Sequence, residues 1–266
     1  MIASLPAFIA ALEGTGFAFL MTVLGAALAL LPGRAMNPAF ERMSLGFAAG
    51  IMIAASVWSL LIPAMAAAES SGDPGWAVAC GGFAAGVAVL LVMDALLPHL
   101  HPMETEAEGP RTNLSKTALL VFAVTLHNIP EGMSVGLSYA FASLEPDPAA
   151  LSSAAALALG IGIQNNPQGA AVALPLRGAG LSPMKAFAGG ALSGAVEPVF
   201  GLAVALAAPM VAPAMPWLLS FAAGAMMYVV VEELIPAARL DSRRHDGTLS
   251  ILAGFMLMMA LDSAFG

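Results

Sequence analysis

Apolar residues gather into eight stretches, at roughly 7–31, 44–66, 76–97, 117–143, 151–176, 185–208, 215–236 and 248–264. Each is close to the ~20 mostly apolar residues that a helix needs to cross a bilayer. The polar positions collect between them, in short connections such as LPGRAMNP, ESSGDPG, LEPDP, RGAGLSP and MVAPAMP. The longest connection, 98–116, reads PHLHPMETEAEGPRTNLSK and is too short for a soluble domain. This pattern predicts an all-α integral membrane protein. It would be a single domain over residues 1–266 with eight transmembrane helices.

Composition agrees. The chain of 266 residues is 59% hydrophobic and 10% charged, with a mean hydropathy of +0.87, against about 25% charged residues in a soluble domain. A net charge of −8 without a basic patch gives no sign of a nucleic-acid partner. The lone Cys80 excludes an internal disulfide and a cysteine metal cage. The first cation is Arg34, so the basic start of a signal peptide is missing and the first apolar stretch is expected to remain as a span.

The cations set the expected topology. Arg34 and Arg42, Arg111 and Lys116, Arg177 and Lys185, and Arg239, Arg243 and Arg244 all fall in connections on one side. The positive-inside rule makes that side cytoplasmic and places both termini outside the cytoplasm. The opposite connections carry Glu69, Asp73, Glu145 and Asp147. They are either solvated loop acids or an acidic mouth that concentrates cations.

Two phrases recur. FAAGIMIAASVWSLLIPA (47–64) resembles FAAGAMMYVVVEELIPA (221–237) with one residue of slip, and HNIPEG in span four resembles QNNPQG in span five. Both pairs lie on oppositely directed spans. Inverted repeats of this kind hold a transporter's substrate near the membrane midplane, often on helices interrupted by Pro or Gly.

The polar residues of these phrases are costly where they stand. His127 lies about ten residues into span four, or ~15 Å, near the centre of a ~30 Å hydrocarbon layer. Glu131 follows four residues later on the same helix face, with Asn128 beside it. A midplane carboxylate costs at least ~2.5 kcal/mol on the insertion scale, so helix packing alone is a poor reason to keep one. Pro130 has no N–H and leaves the Leu126 carbonyl without its helix partner. Imidazole and carboxylate together suit zinc and other first-row divalent ions. Span five offers Gln164, Asn165 and Gln168, which are neutral oxygen donors or interhelical hydrogen-bonding groups. Glu197 sits mid-span before Pro198 and needs a partner inside the bundle. A second set, Asp94, His99, His101, Glu232 and Glu233, lies toward the cytoplasm. It reads either as a release station for the cation or as a solvated helix-end cluster. Glu13 and Asp262 are near the outer ends of spans one and eight.

Together these motifs resemble the ZIP (Zrt-, Irt-like protein) family of divalent-metal transporters, in its bacterial GufA-type branch. HNIPEG, the QNNPQG phrase, FAAGIMIAAS, Glu-Pro in span six, EELIP and GFMLMMALD carry the likeness over nearly the whole chain. The resemblance implies metal ligands at Met52, His127, Asn128, Glu131, Gln164, Asn165, Gln168 and Glu197. It also implies Zn²⁺ as the transported ion, with Cd²⁺ or similar metals as alternatives, and a bacterial inner-membrane location. Family members commonly have a carboxylate where Gln168 stands, and in them a glutamate from each signature helps bridge two metals. Here Glu131 and Glu197 supply two negative charges if both ionise, which balances one divalent ion. The expectation is therefore one metal at the midplane, moved into the cytoplasm by alternating access as two inverted halves rock around spans four and five. No catalysis is implied, and the HExxH string of an intramembrane metalloprotease is missing. The rival reading is a transport-impaired relative that senses metal or binds a partner, motivated by Gln168. Small residues at GGFAAG (81–86) would permit a homodimer.

Overall fold

The computed structural model describes residues 4–31, 37–97, 110, 115–144, 148–238 and 245–265. Among them the fold is helical, without strands. The helices are α1 (Ser4–Ala26), α2 (Pro38–Ala55), α3 (Ile62–Ser70), α4 (Gly75–Leu96), α5 (Lys116–Leu144), α6 (Pro148–Gly178), α7 (Pro183–Gly194), α8 (Val196–Val211), α9 (Met215–Val229), α10 (Ile235–Ala238) and α11 (Asp246–Phe265).

Local chemistry starts and interrupts these helices. The Asn37 side chain accepts from the Ala39 N–H at 2.9 Å and Ser182 accepts from the Lys185 N–H at 3.4 Å. Each cap is followed at once by a proline at the first helical position. The expected sixth span is broken. α7 ends at Gly194, and the Ala195 N–H turns back to the Leu192 carbonyl at 3.1 Å before α8 begins. Pro198 is the cause, because it cannot donate to the Gly194 carbonyl. The expected second and seventh spans run on through π-helical turns, Ser56–Leu61 and Val230–Leu234.

Among the described residues, six segments are long and apolar enough to cross a membrane: Phe8–Leu30, Ala39–Ser70, Gly75–Leu96, Lys116–Leu144, Pro183–Ala238 and Asp246–Phe265. The 56 residues of Pro183–Ala238 contain α7 to α10. α6 has the length, but Gln164, Asn165, Asn166 and Gln168 hold its mean hydropathy down. It compensates by lying deep in the protein, with Gln164, Asn165 and most of its apolar residues buried.

The helices form two groups. α1, α5, α6, α7 and α8 pack on one another, chiefly as the pairs α1–α6 and α5–α8. α2, α3, α4, α9, α10 and α11 form the other group, chiefly as α2–α11 and α4–α9. The groups meet where α6 touches α2 and α11 and where α5 touches α9. A core that includes Ile51, Met52, Leu60, Leu137, Leu157, Ile161, Leu219, Met226 and Met258 fills that boundary. The first and fifth to eighth helices thus join across the chain. Part of the GGFAAG stretch is used inside the protein. Gly82 and Gly86 are buried where α4 crosses α9, and a Cβ on either would strike backbone of Trp217 or Phe221.

Candidate metal site

The polar residues of spans four to six meet as expected. α5 carries His127, Asn128 and Glu131, α6 carries Gln164, Asn165 and Gln168, and the first turn of α8 carries Glu197. Gln168 is partly buried and the rest are 0–3% exposed. Close helix approach makes this possible. Gly132 lies against the Glu197 backbone, with no room for a side chain between α5 and α8.

Three separate sets of hydrogen bonds tie these helices together. Gln164 Nε2 donates to Glu131 Oε1 at 3.1 Å, and Asn165 Nδ2 donates to Glu197 Oε2 at 2.7 Å. Gln168 Nε2 donates to Asn128 Oδ1 at 2.8 Å, and Asn128 Nδ2 donates to the Ser193 carbonyl at 2.8 Å. The Thr22 hydroxyl lies beside Glu197 but donates to the Ala18 carbonyl at 3.3 Å. Four buried oxygens are left without a hydrogen bond among the described residues: Glu131 Oε2, Gln164 Oε1, Asn165 Oδ1 and Glu197 Oε1. A buried oxygen without a donor costs about 1–3 kcal/mol, more if charged. Carboxylate and amide oxygens are the kind of atoms that serve as ligands for divalent ions.

His127, Glu131 and Gln168 line a small cavity of about 20 Å³. That is room for one water-sized occupant, since a water needs roughly 10–15 Å³ by the same measure. The fourth polar wall is Glu233, whose Oε1 lies 2.9 Å from His127 Nε2. Glu233 comes from the other helix group, so this pair spans the boundary between them. The sequence places Glu233 with the cytoplasmic set, and the structure moves it to the central site.

The described members of that set lie near Tyr228 at the end of α9. Asp94 accepts from the Tyr228 hydroxyl at 2.5 Å, linking α4 to the end of α9. Glu232 is exposed, and His99 and His101 lie outside the described residues. Among the described residues no group of three or more His, Cys, Asp or Glu is close enough to hold a metal ion. Met52 is 1% exposed in the apolar core but does not line the cavity.

A larger cavity of about 340 Å³ lies between α3, α5 and α6, lined by Ser59, Ser70, Ser138 and Phe141 among others. Ser59 donates to Asp262 Oδ1 at 2.7 Å, so Asp262 is turned inward, whereas Glu13 is exposed. Glu69 and Asp73 are exposed at the same end of α3, while Glu145 and Asp147 lie outside the described residues.

The comparisons with known proteins point the same way. A family model described as ZIP Zinc transporter matches residues 98–262. A human protein named Zinc transporter ZIP11 is 36% identical over 96% of this chain and 97% of its own length. Zinc transporter ZIPB of Bordetella bronchiseptica is 38% identical over 96% of this chain and 81% of its own. Zinc transporter GufA of Myxococcus xanthus is 35% identical over 79% and 81%.

Proposed function

The chain belongs to the ZIP family of zinc transporters, and from that premise we propose that it carries Zn²⁺ or a similar divalent transition metal into the cytoplasm through the site around His127 and Glu131. The observation that carries this reading is the set of four buried, unpartnered oxygens on Glu131, Gln164, Asn165 and Glu197. In this reading the chain crosses the membrane eight times with both termini outside, α7 and α8 together making the sixth span.

Alternating access follows from where the donors sit. His127, Asn128, Glu131, Gln164, Asn165, Gln168 and Glu197 all belong to the group of α1 and α5–α8. That group can carry the ion as one body. Glu233, from the other group, holds His127 on the cytoplasmic side. Opening inward separates that pair. The 340 Å³ cavity is the outer vestibule, reached past Glu69 and Asp73, with Ser59 at its wall and Asp262 behind Ser59. Met52 faces the moving group from the apolar core and offers its thioether only during the motion.

One ion occupies the site. Glu131, Glu197 and Glu233 supply three negative charges at most, and Gln168 supplies none. Two divalent ions would leave net positive charge at the midplane, which is strongly unfavourable without a counter-ion. Anomalous diffraction from Zn²⁺-loaded crystals should show one full-occupancy site, and two would overturn this stoichiometry. For transport itself the test is Zn²⁺ uptake into liposomes holding purified protein. His127→Ala and Glu131→Ala should each reduce uptake to the level of empty vesicles while the protein stays folded. Normal uptake in both would end the assignment.

A further inference from the structure

Two stretches of the fold leave α geometry in the same way. Each begins with an α-helical run that opens FAAG, Phe47–Ala55 and Phe221–Val229, and the two runs are equal in length. Each then enters a π-helical segment, Ser56–Leu61 in one and Val230–Leu234 in the other. Each returns to α geometry at Ile-Pro, as Ile62-Pro63 and Ile235-Pro236. The first segment has six residues and the second five. The one-residue difference between the two phrases therefore falls inside the π segment and nowhere else.

Proline is the local cause. Pro63 and Pro236 donate no N–H, and each ring crowds the carbonyl four residues back, on Ser59 and Glu232. A turn that pairs each residue with the fifth one on absorbs an extra residue, and such turns gather at functional sites.

The fourth residue of each segment is polar and faces a cavity. In the first it is Ser59, which lines the 340 Å³ cavity and donates to Asp262 at 2.7 Å. In the second it is Glu233, which lines the 20 Å³ cavity and meets His127 at 2.9 Å. The two occupy the same place in the repeat, each twelve positions after the phenylalanine that opens it, Phe47 and Phe221. The residues just before Glu233 do not share that aim: Val231 is 58% exposed and Glu232 is also exposed. In a helix one residue more or less turns everything beyond it by about 100°. Without the extra residue, the group aimed at His127 would no longer be the Glu233 carboxylate.

We propose that the extra residue in each π segment is an aiming device, which turns Ser59 into the outer cavity and Glu233 into the inner one, so that the two repeats present matched polar groups to the two ends of the same path. The path is the one described under the proposed function, but the aim itself requires no metal. Glu233 is thereby a positioning residue, holding His127 across the boundary between helix groups.

Deleting Val231 tests the idea, because its side chain faces outward and the deletion removes one residue of register. The readout is bridging of the His127→Cys/Glu233→Cys pair by a short bifunctional thiol reagent, followed by mass spectrometry. With the full-length segment, and equally with Val231→Ala, the pair should bridge efficiently. Deletion of Val231 should lower the yield by about tenfold or more, given the ~100° turn, while helix content and membrane yield persist. Insertion of one alanine after Val231 should do the same and serves if the deletion variant does not fold. Bridging that survives deletion or insertion overturns the proposal. So does the failure of both variants to fold, which would show that the segment supports the helix rather than aims a side chain. Absence of bridging in the full-length pair overturns it as well. Loss of Zn²⁺ uptake in the unmodified protein would end the transport reading and leave this test intact, since bridging needs no ion.

Discussion

Gln168→Glu places the family's usual carboxylate back in the site, and the structure says what that does before any metal arrives. Gln168 Nε2 donates to Asn128 Oδ1 at 2.8 Å. The new carboxylate cannot donate, so two acceptors would face each other at that distance. Asn128 cannot relieve this by turning its amide, because its Nδ2 already donates to the Ser193 carbonyl at 2.8 Å. Turning would set two carbonyl oxygens together there instead. The metal-free variant therefore loses one buried hydrogen bond and strands an acceptor, at about 1–3 kcal/mol. For a chain of this size that is a fall in Tm of roughly 2–10 °C. With metal bound the sign reverses, because the added negative charge faces a cation. A ligand that binds only the folded state stabilises it by RT ln(1 + [L]/Kd), about 1.4 kcal/mol for each tenfold gain in affinity once the metal is in excess. The assay is thermal unfolding of detergent-purified protein, with chelator and then across a Zn²⁺ series, beside the metal-to-protein ratio. Gln168→Glu should melt lower than the parent in chelator and gain more from Zn²⁺, with a ratio that rises toward two. An unchanged Tm in chelator, or an equal gain from Zn²⁺, would refute the reasoning and place Gln168 away from the ion.

Two further variants test the frame that holds the site. Gly132→Ala forces a methyl group against the Glu197 backbone, and overpacking of this kind costs about 1–3 kcal/mol, so Tm should fall by several degrees and uptake should fall with it; Gly178→Ala, which meets nothing within 4 Å, is the control and should do neither. Asp246→Ala removes the partner that holds Arg42 at 3.1 Å across α2 and α11, where the side chains are only 10% and 19% exposed; a stranded and mostly buried guanidinium should lower stability by about 1–3 kcal/mol, less than for a fully buried pair, read as a lower Tm that Arg42→Met in the same chain partly restores.

The chain alone determined that the protein is helical and membrane-embedded, because no soluble fold tolerates eight stretches this apolar with 10% charge. It also singled out His127 and Glu131 as the candidate site. A histidine and a carboxylate four residues apart at mid-span are too costly in hydrocarbon to be incidental, and a four-residue spacing fixes a shared helix face whatever the tertiary structure. Only the tertiary structure decided which of these polar groups meet. Gln164 and Glu131, or Asn165 and Glu197, are about thirty positions apart along the chain, and their contact depends on how α5, α6 and α8 lie together. Glu233 was legible as a residue but not as a partner of His127, more than a hundred positions away. Its aim rests on one extra residue in a π turn, and hydrophobic spacing reads helices at 3.6 residues per turn. The same limit explains the break at Ala195. Pro198 signals that a bond is lost, and only the packing of Gly194 against Thr22 and of Gly132 against Glu197 shows that the helix breaks there and turns Glu197 inward.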